Sequence, residues 1–192
     1  MKLLVLAASH RKQSINRRLA EIAGGIAKKK GAKLDFPEYG EFDMPIYDDE
    51  TFDAEALPIA AKHFVASLKK ADGVILSSPE YNWSFPGSLK NIIDWASTVK
   101  PNPFAGKTAL LLSASPSRRG GAQGLVHLKV PLESLGMFVF PRVFTLARAE
   151  EAFGGKEGFK DMKLKEELER LVTEFVGMTA ALSGIPGTPG NK

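Results

Sequence analysis

The chain has no cysteine. That removes disulfides, thiol nucleophiles and thiolate metal sites from consideration, and a cytoplasmic location is expected. No apolar stretch approaches the roughly 20 residues of a membrane-spanning helix. The apolar part of MKLLVLAAS at the N-terminus is too short for a signal peptide and reads as a first buried strand. His10, His63 and His127 show no metal-ligand spacing, so no metal is expected. No G-x-G-x-x-G follows the first apolar run, which argues against a Rossmann dinucleotide fold. Gly106-Lys107-Thr108 mimics the end of a P-loop, but Pro101 stands where its first glycine belongs, and the segment enters a strand instead of a helix. There is no Ser-His-Asp set and no paired carboxylate. No catalytic side chain is therefore assigned, and the chemistry is left to a bound cofactor.

The composition is that of an ordinary globular domain: 192 residues, 44% hydrophobic and 25% charged. The net charge of +4 is spread among alternating signs, and Lys28-Lys29-Lys30 closes a helix. That describes a solvated basic surface, and no nucleic-acid partner is expected.

Strand and helix patterns alternate five times. Apolar runs at 2–8, 33–36, 73–77, 107–114 and 137–145 read as strands covered on both faces. The first helix is capped by Ser14, carries a stripe of Ile15, Leu19, Ile22 and Ile26, and ends before Gly31. The second is placed over about 54–71 with Ile59, His63 (or Ala60), Val65 (or Phe64) and Leu68 as a rough inward stripe, and the third runs through Leu89, Ile92, Ile93 and Trp95. The fourth starts near Gly121 with Leu125, Leu128, Leu132 and Leu135, and Pro131 should bend or weaken it. Residues 148–160 read as a polar, mobile loop, and 162–182 as the last helix. Residues 1–184 are expected to form one domain, followed by a disordered Gly/Pro-rich tail at 185–192. Such alternation predicts an α/β fold, a three-layer sandwich around a five-stranded parallel sheet. Right-handed crossovers favour the flavodoxin-like order 2-1-3-4-5.

In this order strands one, three and four are neighbours, so the loops 9–16, 79–87 and 115–121 should meet at their carboxyl ends. The first opens a helix, where unpaired N–H groups and the positive end of the dipole favour an anion. Ser9, Ser14 and Asn16 add hydrogen bonds and Arg11 adds charge, a set suited to a terminal monophosphate. The second, Pro79-Glu80-Tyr81-Asn82-Trp83, offers a flat aromatic wall. A phosphate pocket beside a flat slot fits FMN.

Three motifs then resemble the NADPH-dependent FMN reductase family, the flavodoxin-like group that includes bacterial quinone, chromate and azo-dye reductases. They are Ser9-x-Arg11-x-x-Ser14-x-Asn16, then Pro79-Glu-Tyr-Asn82 with Pro86-Gly87-x-Leu-Lys-Asn91-x-x-Asp94-Trp95, then Ser115 with Gly120-Gly121. The resemblance covers the chain to about residue 146. It implies that Ser9, Arg11, Ser14, Ile15 and Asn16 hold the FMN phosphate. It also implies that Pro79, Glu80, Tyr81, Asn82 and Trp83 line the isoalloxazine and ribityl, and that Ser115, Gly120 and Gly121 form the other edge. It implies NADPH or NADH as co-substrate, a small-molecule electron acceptor, and a homodimer or homotetramer, for which Phe42, Met44, Tyr47 and Phe85 suit the interface. Ala8 stands where the family has glycine, and Gln123 where it often has arginine. An electron carrier without a nicotinamide site is the alternative reading of the same fold.

Overall fold

The structure is a computed structural model and describes residues 1–50, 57–154 and 158–183. Its main sheet runs in the order β2-β1-β3-β4-β5, all parallel, with β1 at Lys2–Ala7, β2 at Lys33–Asp35, β3 at Gly73–Ser77, β4 at Thr108–Ala114 and β5 at Phe138–Val139. This is the flavodoxin-like arrangement that the alternation of strands and helices predicts.

Each central strand is buried on both faces, and its side chains alternate between two cores. Leu3, Val5, Ala7, Ile75, Leu110 and Leu112 face one layer. That layer contains α1 (Ile15–Lys29) and α6 (Met162–Ser183). Leu4, Leu6, Val74, Leu76, Ala109 and Leu111 face the other. There α2 (Ile59–Lys70), α3 (Gly87–Ser97) and α4 (Ala122–Ser134) pack.

The helix faces differ from the sequence pattern in instructive ways. In α1 the fully buried positions are Leu19, Ala20, Ala23, Gly24 and Ala27, while Ile15, Ile22 and Ile26 flank the contact. Small residues let the helix approach closely: a Cβ on Gly24 would lie 3.3 Å from Leu34 Cδ1. In α2 the spacing Ala61, Phe64, Val65, Leu68 sets the buried face, and Ile59, first in the helix, is 72% exposed. The predicted helical residues 54–56 lie outside the described residues, as does the tail 185–192. Pro131 does not end α4: the helix runs to Ser134, and Leu135 N–H donates to Pro131 O at 3.1 Å.

Two further expectations are corrected. The fifth strand, expected over 137–145, is two short strands, β5 and β6 (Phe144–Leu146), both paired with β4. Phe140 N–H still donates to Ala109 O (2.8 Å), and the strand pairing then lapses over residues 141–143 before β6 resumes it. The expected loop at 148–160 holds a short helix α5 (Ala149–Ala152) and an antiparallel pair, β7 (Phe153–Gly154) with β8 (Gly158–Phe159). The rings of Phe153 and Phe159 are stacked (centroids 5.7 Å apart, 17° between planes), and both are buried. Two aromatics outweigh the segment's glycines.

Candidate functional site

The open-sheet rule places ligands where the strand order reverses, here between β1 and β3, beyond their carboxyl ends. A cleft of 70 Å³ lies there, lined by residues from all three predicted loops: Ser9, Arg11, Ser14, Ile15 and Asn16, then Pro79, Glu80 and Tyr81, then Ser115. Nine of the thirteen residues named from sequence therefore meet in one place. Its volume is about that of two waters, room for an oxyanion group and too little for a tricyclic ring.

The first loop supplies the donors. Ser14 is the N-cap of α1 and its Oγ accepts the Arg17 N–H at 3.2 Å, which leaves its own proton to give. The N–H groups of Ile15 and Asn16, in the first turn, have no carbonyl one turn back. The Asn16 side chain has a different job from the phosphate contact expected of it. It is 2% exposed. Its Nδ2 donates to Ala114 O (2.8 Å), and its Oδ1 accepts from Ala114 N–H (2.9 Å) and from Ser77 Oγ (3.0 Å). It staples α1 to β3 and β4 and holds the cleft's wall in place.

The second loop is a tight hairpin. Tyr81 and Ser84 exchange N–H···O bonds of 2.8 and 3.0 Å around Asn82 and Trp83. Their φ values are +49° and +68°, the double positive φ of a I′ turn, in which glycine is the favoured second residue. Placing Trp83 there costs on the order of 1–2 kcal/mol. Trp83 is 54% exposed, and its ring carries the Arg119 guanidinium 4.1 Å above its centroid. Asn82 and Trp83 do not line the cleft; they stand beside it as the tip of the hairpin. Glu80 turns its carboxylate to Gly124 N–H (2.9 Å). There it caps α4, whose N-cap Gly121 has no side chain to do so.

Gly120 and Gly121 are buried behind the cleft, with φ +62° and +85°. A Cβ on Gly120 would lie 3.0 Å from Ala147 N, and one on Gly121 would collide with Ser113 Oγ. Their glycine identity answers to chain crossing chain. Ser115 anchors the rim: its N–H donates to Leu146 O (3.0 Å), and its Oγ accepts from Ser117 N–H (3.2 Å).

Several neighbours went unrecognised in the sequence. Tyr39 is buried beneath His10, ring centroids 4.7 Å apart, and its hydroxyl meets Ser88 Oγ at 3.0 Å. Burial pushes its pKa up to about 12. His10 Nε2 lies 3.4 Å from Asp43 Oδ1. Phe42, expected at an interface, is buried edge-on against Phe64 (5.3 Å). Trp95 is core as expected, and its Nε1 donates to Pro45 O (2.7 Å). Among the described residues no three His, Asp or Glu gather as a metal site, and no helix is long and apolar enough to cross a membrane.

An open parallel sheet of order 2-1-3-4-5, with an anion-sized cleft at its reversal point and an exposed aromatic hairpin beside it, defines a flavodoxin-like protein. The pattern of the NADPH-dependent FMN reductase family matches residues 1–151, and the chain belongs to that family. It is an oxidoreductase that uses FMN and NAD(P)H. It is similar to a quinone reductase of Escherichia coli (34% identical over 139 residues, 72% of this chain and 73% of the relative). It is also similar to an NAD(P)H-dependent FMN reductase of Pseudomonas aeruginosa (31% over 172 residues, 88% and 90%). Among solved structures, the flavoenzyme NAD(P)H:(acceptor) oxidoreductase FerB of Paracoccus denitrificans superposes with a TM-score of 0.80 at 29% identity, covering 94% and 97% of the two chains.

The residues fit the cofactor. The cleft presents hydroxyl, N–H and guanidinium donors, and the one carboxylate that lines it is engaged by α4. That is a donor set for a phosphate dianion.

Proposed function

We propose that the protein is an FMN-dependent NAD(P)H oxidoreductase that reduces a quinone, flavin, azo compound or metal oxyanion by a ping-pong mechanism. The observation that carries this is the meeting of the three loops in one donor-lined cleft beside the Tyr81–Ser84 hairpin. Bound FMN supplies hydride acceptance and onward electron transfer to the second substrate. The protein binds and orients. Arg11, Ser9, Ser14 and the N–H groups of Ile15 and Asn16 fix the phosphate. Pro79, Glu80, Tyr81, Asn82 and Trp83 form the wall along the ring and ribityl, largely through backbone groups. The 115–121 loop forms the opposite edge, with Ser115 lining the cleft and Gly120 and Gly121 buried behind it. Both substrates meet the same cofactor, so they take turns. The relatives named as quinone reductases support a quinone-type acceptor.

Purified protein should take up FMN and bleach anaerobically with NADPH, and steady-state double-reciprocal plots should be parallel. Intersecting lines sink the ping-pong assignment; FMN that binds but is not reduced by either nicotinamide makes the protein a carrier. Arg11→Ala should weaken FMN at least about tenfold, the size of one charge-assisted contact, and riboflavin far less. Equal losses would mean the phosphate lies elsewhere.

We read residues 1–184 as the FMN-binding domain of a cytoplasmic homodimer or homotetramer that takes no nucleic acid. Phe85, Val130 and Leu135 line a groove of 470 Å³ between α3 and α4. With Met44 and Tyr47 they are the apolar groups offered to a partner copy, and light scattering tests the assembly.

A further inference from the structure

Next to the phosphate cleft lies a larger cavity of 680 Å³, lined by Arg11, Lys12, Arg17 and Arg18 together with Glu21 and Glu150. Arg11, Ser14 and Ile15 line both spaces, so the two share a wall. The cations here are not equivalent. Arg17 is taken up by Glu21 (3.1 Å) and by Glu38. Arg18 stacks on Phe153, its guanidinium carbon 4.5 Å from the ring centroid, and keeps its charge free. Arg11 and Lys12 have no acidic partner among the described residues. With Arg11 given to the flavin phosphate, Lys12 and Arg18 are then set against Glu150 alone.

A cavity of this size is in the range of small-molecule sites, about 300–1,000 Å³, and nearly ten times the cleft beside it. Its charge comes from side chains on a loop and a helix, walled on the far side by Glu150 and Phe153 of the α5–β7 segment. A merely solvated helix start has no need of that wall.

We propose that this cavity is a second phosphomonoester site, separate from the flavin-phosphate cleft, and that it receives the 2′-phosphate end of NADPH. The proposal rests on the FMN reading above. NADPH differs from NADH only by that dianionic group on the adenosine ribose, and arginine or lysine at the ribose is the means by which proteins tell them apart. Lys12 and Arg18 line this cavity and not the smaller cleft, so they discriminate the nicotinamide without touching the flavin phosphate.

The test uses holoenzyme saturated with FMN. Calorimetry measures adenosine 2′,5′-bisphosphate against 5′-AMP, and steady-state kinetics compare NADPH with NADH. Wild-type enzyme is expected to bind the bisphosphate at least about tenfold tighter and to prefer NADPH in kcat/KM. Lys12→Ala and Arg18→Ala should each lower that preference about tenfold, with the loss in KM for NADPH, and Lys12→Arg should restore it. Lys12 sits on an exposed loop, so its variants report even if Arg18→Ala unsettles Phe153. Equal binding of the two nucleotides overturns the proposal. So does a preference that survives both substitutions and moves instead with Arg118→Ala or Arg119→Ala. Displacement of the bisphosphate from apoprotein by FMN would give the cavity to the flavin phosphate and also overturn it. A yellow holoenzyme with no 2′-phosphate preference defeats this inference alone; failure to form holoenzyme defeats the FMN reading beneath it.

Discussion

Replacing Asn16 by alanine removes one amide that serves three groups of the sheet: Ala114 O, Ala114 N–H and the Ser77 hydroxyl. Asn16 is 2% exposed, so bulk water does not reach these groups, and a single water in the space left by the amide replaces only part of its fixed bonds. A buried polar group left unpaired costs about 1–3 kcal/mol. The Ser77 hydroxyl can rotate toward another acceptor, but the two Ala114 groups are fixed by the strand, so we take the lower half of the range, roughly 3–6 kcal/mol in total. Against a typical stability of about 5–15 kcal/mol, that is a large fraction. At about 2–4 °C per kcal/mol for a chain of this size, the midpoint should fall by at least 6 °C. The assays are thermal and urea unfolding of apoprotein followed by circular dichroism, which keep flavin linkage out of the comparison. Asn16→Asp keeps the acceptors but sets a carboxylate oxygen against Ala114 O, and should also destabilise. If Asn16→Ala unfolds within about 1 kcal/mol of wild type while FMN affinity drops and riboflavin affinity holds, the staple is refuted. Asn16 would then be a phosphate ligand after all.

Gly121→Ala forces a side chain onto a residue at φ +85°, with its Cβ 2.9 Å from Ser113 Cβ; strain and overpacking together should cost roughly 2–4 kcal/mol. Ser113→Gly in the same chain should return part of that loss in a thermal melt, and no return would point away from this contact. Tyr39, with its pKa raised to about 12 by burial, holds its proton in the folded state after the unfolded chain, near 10, has lost it. The folded pKa is the higher one, so this contribution is complete below pH 10 and is lost as pH rises toward 12. Urea unfolding of Tyr39→Phe across that window should show a shallower alkaline decline, and an unchanged slope would rule Tyr39 out as its source.

The sheet order was legible because β1, β3 and β4 are apolar without alternation, which only a sheet covered on both faces explains. The strand-end loops followed from that order, and with them nine of the cleft's residues. What escaped depends on distance along the chain or on closeness of backbones. Asn16 reads as one more polar residue in a serine-rich turn until β4, 98 residues away, is beside it. Gly120-Gly121 looks like a ligand loop, since a glycine needed for a positive φ and one needed for a phosphate have the same letter. The stripe of Ile15, Leu19, Ile22 and Ile26 does pack on the core, but the centre of the α1 face escaped because isoleucines advertise burial more loudly than the alanines and Gly24 on which the helix sits. Phe153 and Phe159 were hidden among glycines whose flexibility the stacked rings override.

The long reach of the Asn16 bonds also bears on the order of events during folding. Its partners lie 61 and 98 residues downstream, and contacts of such separation form late because loop closure must come first. A nascent chain that has made only β1, α1, β2 and β3 has the serine-rich turn but not the strand that locks it. Cofactor capture therefore awaits the arrival of β4, and the first appearance of flavin binding in a refolding experiment marks completion of the sheet's centre. FMN that binds only the finished state will slow unfolding and raise the apparent midpoint while leaving the folding rate itself unchanged.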